Sequence, residues 1–527
     1  MSAVTRTIRP GTVGGRARIP ASKSHTIRAL LIATLASGRS RLREPLDSLD
    51  TAACIRACRA LGADIEEVRD GGHLTEIIVE GTGGSLATPD DIVDVGNSGT
   101  TLYLGIGTAA TAGGLTVFTG DEQIRRRSAA PLLSALAALG ATATSTRGNG
   151  CAPIVTGGGL RCGPVAIESP TSQYLSSLLL AAPLAVPRDE SGGGTGTPAA
   201  PADPAAGHPA AATDIEVLLL NEHPYVDMTL WWLDSQGIRY EREGYDRFRI
   251  PGGQHYHAVE VHIPADFSSA TFLACAAAIT GSTVTLAGLD MADPQGDKAV
   301  LGILEQMGCR VESTTGGVVV TGPESAFDRA AGHARPSLAG GRFDLNAIPD
   351  ALPALAVTAC FAREPVELVN VPQARAKETD RIAVMATELS KMGAVVRELE
   401  DGLVVRPRDG GAGAGAAAAG AISGGTGAAE RTAGAAPGST AAPGSTGAPG
   451  AAGPPPLNGA AVRGHGDHRV VMALAVAGLG AAGKTTVDTA EAAAVTFPGF
   501  FETLEALGGR VTPAADAGAD AAGGDDA

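Results

Sequence analysis

Two kinds of helix-like segment alternate along the chain, and each kind recurs six times. The first carries apolar residues at helical spacing, stops at a glycine and re-enters as a short alternating strand. Its copies are RACRALGADIEE around Gly62, SALAALGATATS around Gly140, WWLDSQGIRYER around Gly237, LGILEQMGCRVES around Gly308, ATELSKMGAVVRE around Gly393 and FETLEALGGRVTP around Gly508. A glycine at that point supplies the positive φ at which a helix ends without a Cβ clash. The second kind is apolar and Ala-rich: ALLIATLASGRSRL, LYLGIGTAATAGGLTVF, SSLLLAAPLAV, TFLACAAAITGSTVTL, PALAVTACFAREPVEL and MALAVAGLGAAGKTTV. Together they predict a unit of two helices and about four strands in roughly 65–80 residues, longer than common solenoid repeats. Six such units make the fold α/β.

Two stretches interrupt the pattern. Residues 187–214 and 409–458 are Ala/Gly/Pro/Thr mixtures without periodicity, and the tail from 514 to 527 is similar and acidic. Such segments bury too little apolar surface to offset chain entropy, which predicts flexible surface inserts and a disordered tail. The remainder of a 527-residue chain with 44% apolar residues is long enough for two or three cores. A net charge of −16 argues against nucleic acid as a bulk electrostatic partner. Seven cysteines without a CxxC pair fit reduced core thiols in a cytoplasmic protein. The opening MSAVTRTIRP lacks the apolar segment of a signal peptide, and no membrane span is expected.

Polar residues collect where the Ala-rich helices begin. The six entries are SKSHTIR (22–28), GNSGTT (96–101), TSQY (171–174), DFSSAT (266–271), NAIPDALP (346–353) and GDHRVV (466–471). Helix capping explains most of the Ser, Thr, Asn and Asp. It does not explain Lys23, Arg28 and Arg469 in or beside a first turn, where the helix dipole disfavours cations. A cation there makes sense with an anion between it and the free backbone N–H groups. Further basic clusters stand at Arg125–Arg127 and in RAKETDR, where a helix would project Lys377 and Arg381 together at i, i+4 beside Glu378. A charge run is more often a solvated face, and a salt-bridged surface helix would explain the second cluster. Taken together, the clusters point to small polyanions gripped by Lys and Arg, with Asp and Glu near enough for acid–base work.

The motifs IPASKSHTIRALLIA, VGNSGTT, TGDEQIRRR, AKETDRI, GDHRVVMALAVAG and TFPGFF, in order from about residue 8 to 510, resemble the 5-enolpyruvylshikimate-3-phosphate synthase family of enolpyruvyl transferases. The resemblance implies a two-domain inside-out α/β barrel of six βαβαββ repeats, three per domain. It implies residues 1–21 plus 251–527 in one domain and 22–250 in the other. It also implies transfer of the enolpyruvyl group of phosphoenolpyruvate to the 5-hydroxyl of shikimate-3-phosphate, by addition and elimination, without metal or cofactor. Partners are then these two small molecules, with neither nucleic acid nor membrane, and a monomer is expected.

Carried over by resemblance, shikimate-3-phosphate contacts fall on Lys23, Ser24, Arg28, Thr171, Ser172, Gln173, Asp350, Gln373 and Lys377. Phosphoenolpyruvate contacts fall on Lys23, Asn97, Gly99, Arg127, Gln173, Arg381 and Arg469. Asp350 resembles the family's base for the hydroxyl and Glu378 the carrier of the methylene proton. Lys23 resembles a proton donor and charge stabiliser, and His468 a residue that orients its neighbours. Three positions depart from the pattern: Tyr103 where many relatives have Arg, Val495 where many have Lys, and Glu222 in place of a substrate-contacting Ser. A rearranged pocket follows, in which Arg125 or Arg126 would have to compensate for the lost cations.

Rival readings remain. GLGAAGKT (478–485) satisfies a P-loop string, but the expected helix precedes it and the strand follows, the reverse of a nucleotide site. The UDP-N-acetylglucosamine enolpyruvyl transferases share the repeat fold. They usually carry Lys-Asn where this chain has Lys23-Ser24, and a reactive loop Cys that is missing near Arg125–Arg127. A catalytically weak relative that only binds anionic ligands is the third alternative.

Overall fold

The computed structural model describes residues 4–188, 211–408 and 454–513. The expected inserts and acidic tail lie mostly outside the described residues. Regular structure reaches into the expected bounds of both inserts. Ala212–Leu220 is a strand paired with Pro164–Ser169 and Arg247–Pro251. Leu457 is buried, and Asn458 bridges to Ala482. Ala- and Thr-rich strand ends continue the composition of the insert, so composition alone could not locate the boundary.

Six four-stranded sheets share one topology. In each, two strands run parallel, one of them pairs antiparallel with a third, and the remaining strand lies antiparallel on the far side of that third. Three sheets come from continuous chain, spanning 93–157, 164–251 and 341–406. The other three each take a strand from a distant segment. Glu260–His262 lies parallel to Arg39–Arg43, Gly15–Arg18 lies parallel to Thr283–Ala287, and Arg6–Arg9 sits between Thr485–Val487 and Arg510–Pro513. The hinge glycines adopt the required backbone: φ is 103° at Gly62, 91° at Gly140, 65° at Gly237, 101° at Gly308, 86° at Gly393 and 97° at Gly508.

The buried apolar residues form two clusters, one spanning 27–263 and the other combining 8–19 with 267–511. The chain passes from one cluster to the other first between Ile19 and Ile27. The second crossing falls later than the expected junction at 250/251, because Tyr256 and Ile263 belong to the earlier core. Pairing of Glu260–His262 with Arg39–Arg43 carries the chain past that point before it crosses.

At the centre of the first core pack the helices Lys23–Leu35, Gly99–Ala110 and Ser172–Ala181; the second holds Phe267–Thr280, Leu352–Ala359 and His468–Gly480. These are the six Ala-rich segments, and nearly every residue in them is buried. Small side chains let neighbouring elements approach closely: a Cβ on Gly478 would lie 2.9 Å from Ile8 Cβ. The P-loop string is split as expected, with helix His468–Gly480 before Lys484 and strand Thr485–Val487 after it. Among the described residues no helix is long and apolar enough to cross a membrane.

Strand Arg6–Arg9 closes the last sheet, and fully buried Ile8 anchors it. Ile8→Ala should destabilise the protein by about 2–5 kcal/mol through lost burial and a residual cavity. Chemical denaturation monitored by circular dichroism measures it, and an unchanged midpoint would show that the strand is dispensable.

Candidate active site

Polar side chains at the starts of the long helices converge where the two cores meet. Capping accounts for some of them. Ser22 Oγ accepts from His25 N–H (3.4 Å), Ser98 Oγ from Thr101 N–H (3.4 Å), Asp266 from Ser269 N–H (3.1 Å) and Asp467 from Arg469 N–H (2.9 Å). The residues that follow these caps, Lys23, Gly99 and His468, occupy the first helical positions, as does Ser172 after Thr171. Contacts between the halves bring the ends together: Asn346 Nδ2 donates to Asn221 Oδ1 at 2.8 Å, Tyr225 Oη to Asp297 at 2.6 Å, and His25 Nε2 lies 3.3 Å from Asp293.

Arg381 is the hub. Its guanidinium, 1% exposed, donates to Asp350 (2.8 Å), Glu378 (2.5 Å) and both oxygens of Asp467 (2.9 and 3.2 Å). Arg469 Nη2 donates to the second oxygen of Asp350 at 3.0 Å, and Arg127 Nη2 lies 3.2 Å from Glu378. Lys23 Nζ pairs with Asp50 at 3.2 Å. Lys23 and Arg469, cations at helix starts where the dipole disfavours them, are thus each balanced by a carboxylate.

KETDR does not form the expected helix. The helix begins at Arg381, capped by Asp380 through Ala383 N–H (3.0 Å), and Lys377–Thr379 form a bend ahead of it. Thr379 Oγ1 donates to Asp467 at 3.0 Å, which helps to hold that bend. Lys377 from that bend meets Glu222 Oε1 at 2.5 Å and lies 4.0 Å from Asp350 Oδ1, the oxygen that Arg381 also holds.

The charge set shifts proton affinities in opposite directions. Burial alone would raise the Asp350 carboxyl, but Arg469, Lys377 and Arg381 hold it well below the usual carboxylate range. Glu378 behaves alike: burial is outweighed by Arg127 and Arg381. For Asp50, burial wins over Lys23 and the carboxyl is raised. Burial lowers His468 to about 3, so its imidazole is neutral at physiological pH.

Several predicted site residues carry buried polar atoms without hydrogen-bond partners: Arg127 Nε, Gln173 Oε1, Gln373 Oε1, both ring nitrogens of His468, and Arg469 Nε and Nη1. Folded proteins satisfy most such atoms internally, and their concentration here marks a place built for a polar ligand. Gln373 Nε2 donates to Asn346 O at 2.9 Å. Asn97 Nδ2 is engaged by Asp121 (2.5 Å) and Gln123 (2.9 Å). At Gly99 a Cβ would lie 2.6 Å from Arg127 Nη1, so the glycine makes room for that guanidinium.

Other expectations need correction. Arg28 is buried, and its N–H groups go to Thr229 Oγ1 (2.9 Å), Ser176 Oγ (3.4 Å), Tyr225 O (3.1 Å) and Ser24 O (3.1 Å). In this structure these bonds join three helices, Lys23–Leu35, Ser172–Ala181 and His223–Ser235. Neither Arg125 nor Arg126 replaces the cations missing at Tyr103 and Val495, because Arg125 donates to Gly120 O and Arg126 pairs with Glu122. Tyr103 is itself buried, its hydroxyl donating to Ser128 O at 3.3 Å. Asp50, Asp467 and Glu222 were not singled out as charge partners. Each lies far in sequence from the cation it meets, so no local spacing exposed them.

Glu378, Asp467 and His468 bring ligand atoms within 4.8 Å of one another. This set fits a metal poorly: both carboxylates already neutralise Arg381, and Arg127 approaches Glu378 from the other side.

Six copies of one α/β unit thus bring a cluster of paired cations and carboxylates together at the starts of their helices. The sequence signature of EPSP synthase (3-phosphoshikimate 1-carboxyvinyltransferase) matches residues 8–190, 207–422 and 439–504. A 3-phosphoshikimate 1-carboxyvinyltransferase of Acetivibrio thermocellus is 46% identical over 505 residues, covering 96% of this chain and 98% of that protein. One of the same name from Halobacterium salinarum is 38% identical over 511 residues, covering 95% and 98%. The chain belongs to the EPSP synthase family. A solved EPSP synthase from Acinetobacter baumannii, 24% identical, shares the fold with a TM-score of 0.69 over 97% of this chain and 99% of that one.

Replacing Arg381 by Met would leave Asp350, Glu378 and Asp467 short of their shared cation, at a cost of about 3–5 kcal/mol. The depressed carboxyls of Asp350 and Glu378 stabilise the fold above their unfolded pKa of about 4, and that contribution disappears as pH falls through the folded value. The gap between wild type and Arg381→Met should therefore be widest near neutrality and narrow below about pH 4. Urea titrations across pH measure it, and a pH-independent gap would refute the charge account.

Proposed function

We propose that Lys23, Asp350 and Glu378 carry the family reaction in this chain, with His468 orienting its neighbours. The reaction moves the carboxyvinyl group of phosphoenolpyruvate to the 5-hydroxyl of shikimate-3-phosphate and releases phosphate. The observation that carries the residue assignment is the convergence of these groups with the unpartnered atoms of Arg127, Gln173, His468 and Arg469.

The hydroxyl attacks the middle carbon of phosphoenolpyruvate while the methylene carbon takes a proton; loss of that proton and of phosphate then restores the enol ether. Asp350 accepts the hydroxyl proton, Glu378 in its protonated form delivers the methylene proton and takes it back, and Lys23 gives the leaving phosphate a proton that balances the one on Asp350, its charge stabilising the phosphate. In the free protein both carboxyls are tied to arginines and are weak bases. An anionic substrate draws Arg127, Arg381 and Arg469 toward its own oxygens. Asp350 and Glu378 lose those partners and gain proton affinity at the moment the chemistry requires it. Binding thereby switches on the bases.

The two cores and six repeated sheets support the two-domain inside-out barrel, with both chain ends in one domain. We take the working protein as a cytoplasmic monomer acting without cofactor. The family match favours the shikimate branch over UDP-N-acetylglucosamine.

Asp350→Asn, Glu378→Gln and Lys23→Ala should each lower kcat by about 10²–10⁴ at unchanged fold. Steady-state phosphate release from the two substrates measures this, and wild-type protein with no turnover at millimolar substrate refutes the function. Because His468 is neutral down to about 3, kcat/KM should show no inflection near the ordinary histidine value. Such an inflection, if abolished in His468→Asn, would mean that the imidazole titrates in catalysis.

A further inference from the structure

Glu222 stands where the family resemblance called for a substrate-contacting Ser, and its carboxylate is already engaged. It precedes helix His223–Ser235 in the left-handed region (φ 59°, ψ 38°) yet makes no cap of its own helix. Instead it reaches the start of a different helix. Its Oε2 accepts from Ser172 N–H (3.1 Å), Ser172 Oγ (2.9 Å) and Thr171 Oγ1 (3.0 Å), while Oε1 takes Lys377 Nζ at 2.5 Å. The residue is 1% exposed.

That donor set is what a phosphoryl group is offered at a helix start: a backbone N–H, two hydroxyls and an ammonium. Glu222 comes from the 27–263 half and Lys377 from the other, so the pair also ties the halves together. A phosphate dianion and a buried carboxylate cannot share these donors, because their like charges repel at contact distance.

We propose that Glu222 is a built-in occupant of the phosphate pocket, and that the phosphoryl group of shikimate-3-phosphate binds only by displacing it. This rests on the function proposed above, which makes Thr171, Ser172 and Lys377 contacts of that substrate. Affinity for the phosphorylated substrate is reduced by the fraction of molecules in which Glu222 holds the pocket. A left-handed backbone at a non-glycine residue is held by the contacts it makes, and exchange of those contacts for phosphate releases it. Ligands without a phosphoryl group have no reason to displace the carboxylate.

The test is calorimetric titration of wild type, Glu222→Gln and Glu222→Ser with shikimate-3-phosphate and with shikimate. Both variants should bind shikimate-3-phosphate about tenfold tighter or more, with shikimate changed by less than about twofold. Unchanged or weaker binding of shikimate-3-phosphate in Glu222→Gln, the isosteric variant, overturns the proposal. So does wild-type preference for shikimate, which would make Glu222 a permanent substitute for the phosphate. Tighter binding in the variants without turnover by wild type would sink the function and leave the displaced carboxylate standing. Turnover by wild type with equal affinities would do the reverse.

Discussion

The buried guanidinium of Arg381 gathers carboxylates from three parts of the chain, Asp350, Glu378 and Asp467, and the organisation of the site depends on that gathering. Isolated charges at this depth would be too costly to keep ionised. Paired, they fix one another: Asp350 links Arg381 to Arg469, and Glu378 links Arg381 to Arg127 across the two halves. The same pairing leaves nitrogen donors on Arg127 and Arg469 without partners. A neutralised yet under-bonded cluster is well matched to an anion that carries several oxygen acceptors.

The repeat explains how such a cluster can be assembled at all. Each unit places the start of an Ala-rich helix beside its sheet, and three units per core bring those starts together. Helix starts carry free N–H groups and positive dipole ends, so the scaffold is disposed toward anions before any side chain contributes. Exchanged strands at 15–18 and 260–262 complete sheets on the side the chain is leaving, which ties each crossing to both halves. Glu222 meeting Lys377 fits this economy, with an internal anion held where an external one is expected to bind.

The repeats were legible in the residues because periodicity and a terminal glycine are local signals. All six hinge glycines have the positive φ that the pattern required. Capping residues at 22, 98, 266 and 467 were legible for the same reason. Where reading faltered, a non-local contact outweighed a local one. KETDR looked helical, but Thr379 bonding to Asp467 and Lys377 reaching Glu222 favour a bend. The junction near 250 was misplaced because a strand at 260–262 pairs with residues more than two hundred positions earlier.

The amino-acid sequence by itself determined the unit, its number of copies, the helix starts and the kinds of side chain placed there, since these follow from spacing within a few turns. Tertiary structure alone decided which charges meet: Lys23 with Asp50, Arg381 with Asp467, Lys377 with Glu222. Those pairings depend on how two cores dock. Coulomb attraction between partners brought within about 3 Å by folding has no signature in their separation along the chain.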